Sequence, residues 1–167
     1  TDNYYYQLMA NIRKYKGVRK PEKPVKRSID ISGSFEQWDS VTKIYYDHAG
    51  DVFHRNSPGN FAAGPYINMT GRNDIIESKV TCDDKNVYFY VKTVDDLTPL
   101  TDPYWMLLFI DSDQNHQTGW EGYDLLINES FGKKQTSVVK AYKNGKWEHA
   151  GNAIFRYEGN ELMIHIP

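Results

Sequence analysis

The apolar positions along this chain change period once. Between Asn3 and Lys16, residues Tyr5, Leu8, Ile12 and Tyr15 recur at spacings of three and four, the stripe of an amphipathic helix. Gly17 stands where a left-handed residue ends such a helix, and Lys14 and Lys16 suit the negative end of its dipole. A lone helix of about 14 residues is marginal in water, so the pattern predicts that the stripe packs on something. Residues 18–27, with Pro21, Pro24 and several basic side chains, read as a semi-rigid linker.

From Ser28 onward the period is two. Ile29 and Ile31 alternate ahead of Gly33 and predict a short first strand. Ile75–Cys82 and Asn86–Thr93 read as strands joined by the polar turn Asp83-Asp84-Lys85. In the second of them Val87, Phe89 and Val91 share one face and Tyr88 and Tyr90 the other, the pattern of a strand covered on both sides or lying near a rim. Trp105–Ile110 has the texture of a buried central strand, followed by Tyr123–Ile127 and Ser137–Tyr142. Asn144-Gly145 and Gly159-Asn160 are hairpin turns. Glu161–Ile166 alternates like a strand that stops at Pro167, so the β domain is expected to continue beyond it.

About eight short strands with turns between them, and no second helical pattern, predict an all-β fold. The expected architecture is an antiparallel β-sandwich, immunoglobulin-like or jelly-roll-like, with an N-terminal amphipathic helix. The chain then divides into a connecting helix (1–17), the linker (18–27) and the sandwich (28–167). One stretch resists the pattern: Tyr45 to Gly71 is long and irregular, yet holds Tyr46, His48, Phe53, His54, Phe61 and Tyr66. Loops of that length inside a domain are usually functional or disordered.

Composition narrows the functions. The net charge of −2 is spread along the chain, which leaves no electrostatic footprint for nucleic acid or an anionic membrane. No apolar run approaches the ~20 residues of a membrane span, and Thr1-Asp2-Asn3-Tyr4 carries no signal-peptide pattern. Cys82 is alone, which excludes an internal disulfide and a cysteine-based zinc site. The 13 Tyr and 4 Trp are numerous; such rings suit strands and also offer flat apolar faces with polar edges.

The stretch Asp111-Ser112-Asp113-Gln114-Asn115-His116-Gln117-Thr118-Gly119-Trp120-Glu121-Gly122-Tyr123-Asp124 is the richest in chemistry. Oxygens of Asp111, Asp113 and Asn115 at alternate positions, a carbonyl of Gln117 or Thr118, and Asp124 could converge on calcium, which takes six to eight hard donors. The EF-hand pattern fails after the third ligand, since His116 and Gly122 stand where that loop needs Gly and Glu. The competing reading is a polar loop whose side chains cap their own amides. His48 and His54, with Asp47 and Asp51, are a candidate transition-metal cluster, and Asn73-Asp74 reads as a turn or a contact to the same cation. No G-x-S-x-G, phosphate-cradling Gly loop or H-E-x-x-H is present. Glu121 and Asp124 are an unconvincing acid/base pair, so no enzyme is read here.

Several strings in order carry a resemblance. Ile29-Asp30-Ile31-Ser32-Gly33-Ser34-Phe35-Glu36-Gln37-Trp38, then Asn73-Asp74-Ile75, Asn86–Val91, Trp105–Asp111 and Thr118–Asp124 are similar to the ordered motifs of the family 9 carbohydrate-binding modules. The helical segment Tyr4–Val18 is similar to the tail after the catalytic barrel in some large glycoside hydrolase-like proteins of Bacteroidetes. The resemblance implies a β-sandwich with structural calcium, for which the loop reading supplies Asp111, Asp113, Asn115, Thr118 and Asp124 as ligands. It implies sugar held by tryptophans. Trp38 and Trp105 read as core, which leaves Trp120 and Trp147, with Tyr66, as the aromatic platform and Asn68 or Arg72 as hydrogen-bonding groups around it. The expected protein is a non-catalytic accessory module for polysaccharide metabolism, extracellular, cell-surface or periplasmic. Its expected partners are a glycan and a catalytic domain in cis. The alternative is a calcium-stiffened spacer that binds no sugar.

Overall fold

The computed structural model describes residues 2–16, 25–52, 55–58, 64–102 and 104–167. Gly17, most of the linker (18–24), Phe53, His54 and Phe61 lie outside the described residues. The helix α1 runs Asp2–Lys16, and Leu8, Ile12 and Tyr15 of its predicted stripe are exposed. A short 3-10 helix, Phe35–Ser40, precedes ten strands among the described residues: β1 Ile44–Tyr46, β2 Arg55–Ser57, β3 Tyr66–Asn68, β4 Ile75–Cys82, β5 Val87–Thr93, β6 Leu108–Ile110, β7 Leu125–Ile127, β8 Thr136–Lys143, β9 Lys146–Glu158 and β10 Glu161–Ile166.

The fold is mostly β and antiparallel. Eight strands form one sheet in the order β1-β4-β5-β10-β9-β8-β7-β6, and β2 pairs with β3 apart from it. Hydrogen bonding thus gives one continuous sheet where two facing sheets were expected. The sheet curls: Tyr45 of β1 and Leu108 of β6, its two outermost strands, line the same apolar cavity of about 290 Å³. Inside the curl, Leu162, Ile164 and Ile166 of β10 pack with Phe155, Val139, Ile127 and Trp105, and with Phe89 and Val91 of β5. The last strand is therefore the centre of the sheet, paired to β5 through Ile164↔Phe89 and to β9 through Ile164↔Phe155.

β5 is covered on both faces. Tyr88 and Tyr90 point away from the main core into a second cluster, capped by Ile29, Trp38 and Val41. Trp38 stacks on Tyr90 at 5.3 Å, and the buried Lys79 ammonium reaches the Trp38 carbonyl at 3.1 Å and the Glu77 carboxylate at 2.9 Å. The strand expected at Ile29–Ile31 does not form. Asp30 instead accepts the Ser32 amide and hydroxyl, and its own N–H donates to Gln37 Oε1. This local side-chain bonding competes with a ladder and wins, leaving a turn that seats Ile29 and Trp38 over the sheet. The expected strand from Trp105 shortens to Leu108–Ile110, because Tyr104 and Met106 are left-handed, at φ 57° and 46°.

Asp83 fastens this cap to the β4–β5 hairpin. Its carboxylate accepts the Lys85 and Asn86 amides at 2.8 Å, the Ser28 hydroxyl at 2.8 Å and the Tyr88 hydroxyl at 2.6 Å. Hydrogen bonding, from Tyr88 first, holds its pKa well below the carboxylate range. A depressed folded pKa stabilises above the unfolded value of ~3.9, and the stabilisation is lost as pH falls toward the folded value. In chemical denaturation between about pH 5 and pH 2, Asp83→Ala is expected to flatten the acid loss of stability. An unchanged slope would remove Asp83 from the acid response.

Candidate functional site

Residues 111–124 connect β6 to β7, and the Asp124 N–H closes the base of the loop on the Ile110 carbonyl at 2.8 Å. At its far end Trp120 and Tyr123 exchange both backbone hydrogen bonds, at 2.8 and 2.9 Å. The residues between them, Glu121 and Gly122, are both left-handed at φ 50° and 91°, as a type I′ turn requires. Gly119 enters this turn at φ 69°, where a Cβ would lie 2.2 Å from the Tyr123 carbonyl oxygen. Only glycine fits there.

The turn folds the loop back so that carboxylate oxygens of Asp111, Asp113 and Asp124 lie within 4.8 Å of one another. Asp111 and Asp113 are exposed and Asp124 is half-buried. Each also caps the loop: Asp111 accepts Gln114 N–H, Asp113 accepts Asn115 N–H and the Thr118 hydroxyl, and Asp124 accepts the Ser112 amide and hydroxyl. The Ser112 hydroxyl, and then its amide, hold the Asp124 carboxyl below the ordinary range. Asn115 and Thr118 belong to the same network, with Asn115 Oδ1 accepting Gln117 N–H. The amide-capping geometry is thus present, and so is a cluster of three carboxylates. Like charges this close repel one another even in water. A hard divalent cation would reverse that sign and is matched by this donor set.

On the other side of the turn is an aromatic face. Within β6, Leu108 and Ile110 point into the core and Phe109 points outward. Trp120 lies against Phe109 at 5.5 Å and Trp147 at 6.4 Å; Tyr123 is 5.6 Å from Phe109 and Tyr142 5.1 Å from Trp147. Trp120 remains 43% exposed and Trp147 is half-buried. Trp38 and Trp105 are each 1% exposed, the core positions expected of them. The two tryptophans read as platforms therefore do meet.

Tyr66, expected in the same platform, and the hydrogen-bonding Asn68 and Arg72 stand on or beside β3, outside the eight-stranded sheet. Tyr66 and Asn68 belong to β3, Asn68 accepts the Thr70 amide and hydroxyl, and Arg72 ion-pairs with Asp102. That segment leads into β4, whereas the tryptophans stand at β6–β9. Phe109, Tyr123 and Tyr142 were not singled out from sequence. Two of them carried a signal: the Asn144-Gly145 turn places Tyr142 opposite Trp147, and Phe109 alternates against Leu108 and Ile110. His48 is exposed, and His54 lies outside the described residues. No helix among the described residues is long and apolar enough to cross a membrane.

Compared with known proteins, the chain matches no family model, and no curated protein or solved structure matches it significantly.

Proposed function

We propose that this chain is a non-catalytic carbohydrate-binding accessory module of a secreted glycoside hydrolase-like protein, stiffened by calcium in the 111–124 loop. In this reading the curled sheet is a β-sandwich whose two halves pack their inner faces together. A catalytic domain in cis acts on the glycan that the module holds. The observation that carries the reading is the exposed Trp120 ring, seated beside Trp147 on the outer side of β6 where the core does not use it. A flat apolar face with polar surroundings is what a sugar ring stacks on.

Isothermal titration against a panel of soluble glycans is expected to give heat with at least one of them. Trp120→Ala should weaken that binding roughly tenfold or more, a loss of about 1.4 kcal/mol. Heat with no glycan would sink the sugar reading and leave the spacer. One observation favours the spacer: Trp120 also packs on Phe109 and Trp147 and so helps close the sheet edge. The calcium assignment has its own test. EDTA should lower the melting temperature of the whole chain, and added calcium should restore it, because a ligand bound only by the folded state stabilises it. A melting temperature indifferent to both would refute the assignment.

A further inference from the structure

Two tryptophans can hold a sugar between their faces or on one face alone, and the rings at the 119–123 turn distinguish the two. A slot for a sugar needs near-parallel faces held further apart than rings in direct contact, whose centroids stand about 4.5–7 Å apart. Trp120 and Trp147 have centroids 6.4 Å apart and planes inclined at 58°, so they touch each other and leave no slot. Trp147 is enclosed further, with Tyr142 edge-on at 5.1 Å and Phe109 at 6.2 Å. The rings that meet solvent are a different pair. Trp120 is 43% exposed and Tyr123 41%.

The reciprocal backbone bonds between Trp120 and Tyr123 make them a directly opposed pair, and opposed side chains of an antiparallel pair share one face. Both rings rest on Phe109, at 5.5 and 5.6 Å. They therefore stand abreast on a common support instead of facing each other across a gap. A site that recognises a chain end must enclose the terminal unit. Rings set abreast grip units within a chain, and each further unit adds contact. We propose, resting on the carbohydrate reading above, that Trp120 and Tyr123 form an open platform for consecutive units inside a glycan chain. Trp147 supports that platform and is not a second jaw.

Isothermal titration of the whole chain tests this with cellohexaose, xylohexaose, mannohexaose and laminarihexaose, each beside its monosaccharide and its borohydride-reduced form. The hexasaccharide that binds should do so at least about tenfold more tightly than its monosaccharide, and reduction of its end should change the affinity less than about threefold. A monosaccharide bound as tightly as its hexasaccharide, or binding abolished by reduction, overturns the platform and leaves the carbohydrate reading standing. No heat with any glycan sinks that reading and the platform with it. Side-chain changes give a second readout. Tyr123→Leu should weaken hexasaccharide binding about tenfold, as Trp120→Ala does, and Trp147→Leu less than about threefold. Tyr123→Leu without effect, or Trp147→Leu as damaging as Trp120→Ala at an unchanged melting temperature, overturns the proposal. If Trp147→Leu does not fold, the exposed Tyr123 and the end-reduced sugars still decide it.

Discussion

Trp105→Ala is expected to cost about 3–5 kcal/mol, the range for removing a fully buried aromatic. The ring is 1% exposed. It meets Phe131 and Tyr157 edge-on at 5.8 and 5.3 Å and Phe155 at 6.1 Å. Its Nε1–H donates to the Thr98 carbonyl at 2.6 Å, so truncation opens a cavity and strands a carbonyl together. The left-handed residues on both sides fix where the ring enters, and local collapse cannot easily refill the space. Since a domain has only about 5–15 kcal/mol in hand, denaturant titration should show a much lower midpoint or no folded baseline. Trp105→Phe separates the two parts of the loss. It keeps most of the ring contact but leaves Thr98 without its donor, a penalty of about 1–3 kcal/mol. A Trp105→Ala change below about 1 kcal/mol would place the ring outside the core.

The same residue shows what a reading of the chain could and could not reach. Its apolar neighbours mark Trp105–Ile110 as a buried central strand, but only Trp105 is buried: β6 is an outermost strand of the sheet, its residues half-buried and Phe109 turned outward. The left-handed turn at Tyr104 and Met106 has no sequence signal, because neither residue favours that conformation, and so the strand was expected three residues early. Alternation in Val87–Val91 reads as a strand covered on both faces or lying near a rim, and Trp38 stacked on Tyr90 supplies the second cover. The covering segment is a turn and not the expected strand, because Ile29–Ile31 has the period of a strand while Asp30 and Ser32 have the chemistry of a turn. Periodicity is also silent on sheet order. Glu161–Ile166 reads as a terminal strand, and only long-range pairing makes it the central one. At the candidate site the acidic residues follow one another along a single loop, so their convergence was legible. The Trp120–Trp147 meeting brings the β6–β7 loop against β9, whose sheet neighbours are β8 and β10, and no local pattern encodes it. Asp74 was visible as a residue before a strand, but the burial of its Oδ1 without a hydrogen-bond partner among the described residues is a property of packing.

Gly119→Ala should remove calcium-dependent stabilisation and glycan binding together while leaving the sheet folded. A methyl at this position would lie 2.2 Å from the Tyr123 oxygen and 2.5 Å from its carbon, both backbone atoms that cannot swing aside. That oxygen accepts the Trp120 N–H, so relieving the clash means breaking the reciprocal pair that closes the turn. The left-handed φ adds strain of about 1–3 kcal/mol for a residue with a Cβ. Opening the turn releases Trp120 from Phe109 on one side. On the other it moves Asp124, the next residue after Tyr123, away from Asp111 and Asp113. Gly145→Ala is the control. Gly145 is also left-handed, at φ 82°, but a Cβ there would meet nothing within 4 Å, so it bears the strain without the clash. Calorimetry and EDTA-dependent melting should find both responses intact in Gly145→Ala and both absent in Gly119→Ala. If Gly119→Ala loses the glycan but keeps its calcium response, the acidic cluster does not depend on the turn and the two halves of the site are built independently. If it keeps both, the turn does not hold the Trp120 ring in place, and the aromatic platform must be sought elsewhere on the sheet.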